Sequence, residues 1–202
     1  MIIALVRHGQ TDWNAEDRMQ GSSDIPLNEV GRAQAVTAAE VLSDAAAYGA
    51  SAWSTIISSP LQRAHETASI IASRLDVPLG EDMPELVERH YGEAEGMTIR
   101  EIDAKWARRT MIPGVEPVDS VVTRGVVALD RIAERHDGSD VVVVCHGTLI
   151  RLTLGELAGH PVGRVHNGVL STVEYRDGDW VVLSVNGLPL GDPRVPAHIE
   201  SF

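Results

Sequence analysis

Met1-Ile2-Ile3-Ala4-Leu5-Val6-Arg7-His8-Gly9 opens on six apolar residues and then turns polar without a transition. A short, unbroken apolar run suits a strand covered on both faces of a sheet. It is too short to span a membrane, and it lacks the basic leader and cleavage signal of a secretory peptide. Polar residues at the end of such a strand stand where open α/β sheets bind their ligands. The pattern recurs at Val141 to Val144, followed by Cys145-His146-Gly147-Thr148. Two strands therefore end in an X-His-Gly step. If they lie parallel in one sheet, both imidazoles reach the same edge.

Working outward, residues 9 to 28 form a polar loop with Gly9, Asn14, Gly21 and Pro26 as turn-formers. It exceeds the usual connection, which points to function; Trp13, Met19, Ile25 and Leu27 anchor it, and Trp13 is a candidate pocket wall. A helix is predicted from about Asn28, with Val30, Ala33, Thr37 and Val41 on its inner face. Ser54 to Ser58 reads as a strand. Ser59, Pro60 and Gln62 then fit the N-cap, N1 and N3 positions of a capping box, with Arg63 on the first turn. Thr98 and Glu101 form a second capping box, starting a helix to about Trp106. A longer helix is predicted from Pro117 to His136, with Val118, Val122, Val126, Leu129 and Ile132 inward and Gly125 inside it. Another helix follows from Leu149 to Leu157. Segments 169–175 and 180–185 form a hairpin about Gly178. The tail after Leu190, with Pro193 and Pro196, either wraps the surface or frays. This order implies an α/β/α sandwich with helices on both faces of the sheet, in a single domain over residues 1–202.

The chain carries a formal net charge of -12. That opposes a general nucleic-acid surface, which needs clustered Lys and Arg. It also opposes capture of any anion unless a local group of cations overcomes the field. The single cysteine, Cys145, allows no intramolecular disulfide and no Cys-rich metal site, and it reads as a buried, inert thiol. No apolar run approaches the roughly 20 residues of a membrane helix. The expected location is the cytoplasm.

The cations that matter are Arg7, His8, Arg63 and His146. With nearby helix N-termini they make a concentrated anion site, and the fork of an Arg matches phosphate oxygens. No Gly-x-x-x-x-Gly-Lys loop and no Gly-x-Ser-x-Gly elbow is present. An unprotonated ring nitrogen can attack phosphorus, provided the other ring nitrogen is fixed by an acceptor; a backbone carbonyl after the strand is the expected one. A carboxylic acid can protonate the departing oxygen. Glu88 is the best-placed candidate, with Glu81, Asp82, Glu85, Glu93 and Glu95 as alternatives on spacing alone.

Leu5-Val6-Arg7-His8-Gly9-Gln10-Thr11-Asp12-Trp13-Asn14 resembles the signature of the histidine phosphatase, or phosphoglycerate mutase-like, superfamily. Four further segments resemble it in order: Gly21 to Gly31, Ser58 to Ala64, Glu88-Arg89-His90-Tyr91-Gly92, and His146 to Arg151. The likeness covers residues 1 to about 175. It implies a phosphohistidine at His8, phosphoryl binding by Arg7, Arg63 and His146, and proton transfer by Glu88. It also implies substrate contacts at Asn14, Gln20 and Gly21. Arg89 and Tyr91 are candidates for recognising an acidic sugar or glycerate moiety, and Thr148 of the second histidine segment joins them as a substrate contact. The implied fold has a mostly parallel sheet with an antiparallel edge. No metal or other cofactor is required, because the protein's cations fill the electrostatic role.

The expected reaction is hydrolysis of a small phosphorylated metabolite, possible partners being neither nucleic acid nor membrane; a homodimer is left open. The first alternative is a phosphoglycerate mutase-type isomerisation through the same phosphohistidine, since Glu88 to Gly92 looks like the mutase version of its segment. The short span from Gly92 to Pro117 opposes it, because it has little room for a substrate-enclosing insertion. A non-enzymatic phosphate-binding module is the second alternative.

Overall fold

The computed structural model describes residues 1–108, 111–136 and 138–192; the Pro-containing tail lies outside them. Strand β1 (Ile2–Arg7) is buried along its apolar length. Its side chains divide by the two-residue period of a strand. Ile3 and Leu5 enter one core, with Val141 and Val143; Ile2, Ala4 and Val6 enter the other, with Val142 and Val144. That two-sided burial explains the unbroken apolar run.

The other strands are β2 (Trp53–Ser58), β3 (Leu79–Asp82), β4 (Asp140–Cys145), β5 (Leu170–Arg176), β6 (Asp179–Val185) and β7 (Leu188–Pro189). Their order in one sheet is β3-β2-β4-β1-β5-β6-β7. The first four are parallel, and β5 to β7 extend the sheet antiparallel from β1. β5 and β6 form the expected hairpin; β3 and β7 have no counterpart in the sequence reading. Arg7 pairs with Cys145 across β1 and β4, so both His-Gly steps leave the same edge.

The helices are α1 (Asp12–Ala15), α2 (Glu29–Leu42), α3 (Gln62–Leu75), α4 (Ile99–Lys105), α5 (Val118–Arg135) and α6 (Gly147–Ala158). α2 and α3 pack with the Ile2 core, α5 and α6 with the Ile3 core. The expected inner face of α2 is corrected: Val30, Ala33, Thr37 and Val41 are all exposed, and Ala35, Ala38, Ala39 and Leu42 are buried. The rotation of α2 is set at its first turn. A Cβ on Gly31 would stand 2.1 Å from the Gln10 carbonyl oxygen, so the helix touches backbone there. In α5 the buried residues are Val121, Gly125, Ala128, Leu129 and Ile132, while Val118 is exposed. Gly125 is the contact point with α6, since a Cβ there would lie 2.1 Å from Thr153 Oγ1.

A third core of Tyr91, Ala94, Ile102 and Ile112, with Met19 and Met97 against it, forms beyond the sheet edge. The 9–28 loop is stitched to it: Met19 donates to Met97 O and Gly96 to Met19 O, at 2.9 and 2.8 Å. Trp13 lies against Gly96.

Candidate active site

His8 is fixed by bonds of known sense. Its Nδ1 lies 2.7 Å from the Gly9 carbonyl oxygen, which can only accept, so Nδ1 carries the proton. Arg63 Nε, which can only donate, points at Nε2 from 3.2 Å. Nε2 therefore holds a lone pair. Burial first, then the charges of Arg63 and Arg7, hold this imidazole well below its ordinary value of 6.5.

Arg63 stands at the second position of α3 and is completely buried. Nη1 donates to Ser23 O at 2.9 Å and Nη2 to Gly21 O at 2.8 Å. Gly21 thus orients Arg63 and is not on the cavity wall. Burial presses the guanidinium of Arg63, like that of Arg7, down to about 10, so both remain charged at neutral pH. The expected Ser59 capping box is absent: the N-cap of α3 is Leu61, with no side-chain cap. Asp24 supplies the missing acceptor, taking the Gln62 N–H at 2.8 Å. Asp24→Ala is expected to lower stability by about 1 kcal/mol, read from urea unfolding; an unchanged midpoint would remove Asp24 as a cap.

Ser59 instead turns inward, with Oγ 2.8 Å from His146 Nε2. His146 is fully buried, and its ring centroid lies 5.1 Å from that of His8. Burial, then Arg63, His8 and Arg7, also hold His146 well below 6.5. Both rings stay neutral in the folded chain and take up protons on unfolding below pH 6.5. Stability should therefore be steady above that pH with respect to these groups. Below it, stability should fall by up to about 1.4 kcal/mol per pH unit for each ring. Denaturant midpoints from pH 7.5 to 5 measure this; a midpoint that rises on acidification contradicts it.

A cavity of about 160 Å³ opens beside His8. Arg7, Asn14, Gln20, Glu88, Tyr91 and Thr148 line it; Arg63 and His146 adjoin His8 but are not on the wall. Arg89 is not on this wall. Its Nε donates to Glu116 O at 2.8 Å, and its guanidinium lies 5.8 Å from the Tyr91 ring centre. Tyr91 OH meets Thr148 Oγ1 at 2.5 Å, and burial pushes the phenol well above its ordinary range.

Glu88 is the one carboxylate of the six candidates on the cavity wall. Its Oε2 accepts the Thr148 N–H at 3.0 Å, and Oε1 accepts those of Arg89 and Leu149 at 2.8 and 3.1 Å. It thereby caps α6, which has no side-chain cap of its own. The alternatives have other duties. Glu81 pairs with Arg135, Glu85 with Arg131, and Glu93 with Lys105. Asp82 accepts from Ser58 Oγ at 2.6 Å. Glu95 binds the backbone and hydroxyls of Ser22 and Ser23. Burial alone would raise Glu95, and those hydrogen bonds outweigh it, leaving the carboxyl below its usual range.

Four buried side-chain atoms have no partner among the described residues: Arg7 Nε, Gln20 Nε2, His146 Nδ1 and Thr153 Oγ1. The first three belong to residues of this site. Gln20 Oε1 is occupied by Thr11 Oγ1 and Asn14 Nδ2, which leaves its Nε2 to donate. Asn14 also closes a capping box on Thr11. Sequence reasoning missed Asp17, Ile99, Arg164 and Val165 on the wall. It also missed Asn167, which donates to the His8 carbonyl at 3.0 Å and to Asn14 Oδ1 at 3.1 Å. No local pattern marks these positions. Among the described residues, no group of three His, Cys, Asp or Glu could hold a metal ion, and no helix is long and apolar enough to cross a membrane. Cys145 is buried in the Ile3 core, with its thiol pushed up to about 12 by burial.

The family model for the histidine phosphatase superfamily (branch 1) matches residues 3–187. The uncharacterized phosphatase PhoE of Bacillus subtilis strain 168 is 34% identical over 99% of this chain and 97% of its own. Phosphoglycerate mutase-like protein 4 of Arabidopsis thaliana is 37% identical over 89% of this chain and 82% of its own. A mycobacterial glucosyl-3-phosphoglycerate phosphatase, solved with VO3, superposes with a TM-score of 0.79 at 31% identity, covering 92% of this chain and 98% of that one. The match runs from the first strand through the hairpin, and by it the chain belongs to the histidine phosphatase superfamily, branch 1.

Proposed function

We propose that the chain is a phosphatase that hydrolyses a small phosphate monoester through a phosphohistidine at His8, in a single domain. The observation that carries this is the pairing of an Nε2 lone pair on His8 with unpartnered buried nitrogens on Arg7 and His146 in the same site. Such donors favour a group bearing several oxygens, and a phosphoryl group supplies them.

In this reading the phosphoryl oxygens draw the N–H groups of Arg7, Arg63 and His146, and the Arg63 Nε–H leaves the His8 lone pair. Nε2 attacks phosphorus while the ester P–O bond breaks. The electron pair leaves on the ester oxygen, which takes a proton from Glu88. Glu88 then accepts a proton from water as its oxygen attacks phosphorus. The P–N bond breaks, its electrons return to Nε2, and inorganic phosphate departs. Gln20, Thr148 and Tyr91 face the remainder of the substrate from the cavity wall, with Asn14 beside the phosphoryl group. Placing Arg89 in substrate recognition has no geometric support, because Arg89 is not on the cavity wall.

The relatives' names favour a phosphorylated metabolite, and both phosphatase and mutase occur among them. The mutase reading is favoured by Glu88-Arg89-His90-Tyr91-Gly92. One experiment separates the two. Reaction with a phosphate ester carrying radioactive phosphorus should put acid-labile, base-stable label on His8 and release free phosphate. Isomerised ester as the main product would assign the mutase; absence of label during turnover would remove the covalent step.

A further inference from the structure

His146 and Ser59 meet where neither can reach water: both are fully buried, with 2.8 Å between Nε2 and Oγ. Which atom donates follows from counting protons. Ser59 Oγ also faces the Leu61 N–H, at 3.4 Å, and that amide can only donate. If His146 Nε2 donated as well, the hydroxyl would receive two protons and its own would have no acceptor. His146 Nδ1 would then be a bare acceptor, also without a partner. If the hydroxyl donates to Nε2, both Ser59 and Nε2 are satisfied. One group remains, an Nδ1–H on the ring 5.1 Å from His8. Buried polar groups are satisfied wherever they can be, so the second arrangement prevails.

We infer that Ser59 is a positioning residue: its hydroxyl donates to His146 Nε2 and so places the proton of His146 on Nδ1, the ring nitrogen left without a partner among the described residues. His8 and His146 then share one tautomer and present opposite faces of it. His8 offers its Nε2 lone pair to phosphorus, and His146 offers its Nδ1–H to an oxygen. The second histidine acts as a neutral donor, so it adds no charge beside the arginines. The role of that donor rests on the phosphatase reading; the tautomer does not.

Two-bond hydrogen–nitrogen NMR correlation of 15N-histidine-labelled protein reads the tautomer directly, with His146 assigned by loss of its signals in His146→Asn. The native protein should show the proton on Nδ1. Ser59→Ala should move it wholly or partly to Nε2 and lower kcat by about tenfold, the scale of one lost hydrogen bond. Ser59→Thr, which keeps a hydroxyl, should restore both. Inorganic phosphate should bind Ser59→Ala more weakly than native protein. A native His146 protonated on Nε2 overturns the proposal, as does an unchanged tautomer in Ser59→Ala. Failure of the phosphatase reading would appear elsewhere, as full turnover without His8, and would leave the NMR result standing.

Discussion

His8→Ala is expected to lower kcat/KM for an aryl phosphate by at least about 10⁴-fold, the scale on which removal of a nucleophile acts. The deleted ring supplies the lone pair that Arg63 Nε and the Gly9 carbonyl together fix on Nε2. No neighbour can replace it. His146 has its Nε2 engaged with Ser59, and Cys145 is buried with its thiol pushed up to about 12. The cationic cluster survives the substitution, so inorganic phosphate should still bind. That combination places the loss in the chemical step. Turnover within tenfold of native, in a variant with native thermal unfolding, would remove His8 as the nucleophile.

Glu88→Gln should have the second largest effect, and its size should depend on the leaving group. An alkyl phosphate needs its departing oxygen protonated, so its turnover should fall about 10²–10³-fold. A nitrophenyl phosphate leaves as a stable phenolate and should lose less than about tenfold in its first step. The comparison separates two duties of one carboxylate, because Glu88 also caps α6 through Thr148 and Leu149. A damaged helix end would slow both substrates alike. A uniform loss would therefore leave Glu88 as a cap and send the search for the proton donor elsewhere.

Much of this arrangement was legible in the sequence. β1 and β4 are short, apolar and abruptly terminated because they lie between two helical layers, and each ends in a histidine at the same edge. The α2 face was not legible. Reading by hydrophobicity selects Val30 and Val41, whereas a close backbone contact at Gly31 turns Ala35, Ala38 and Ala39 inward. Ser59 has the composition of an N-cap and sits one residue before Pro60, yet its hydroxyl is held by His146, 87 residues away. Asp24 and Asn167 act across 38 and 159 residues, so no local window reveals them. Glu88 was singled out by its segment, Glu88 to Gly92, whereas the pairing of Glu81, Glu85 and Glu93 with Arg135, Arg131 and Lys105 required three dimensions.

Neither α3 nor α6 carries its own stop at the end that faces the cavity. Asp24 serves one and Glu88 the other, each from a connection distant along the chain. The two motifs are thus not portable. Grafted onto another scaffold without residues 21–24 and 86–89, they would bring the reactive side chains and leave behind what holds the helix ends in place.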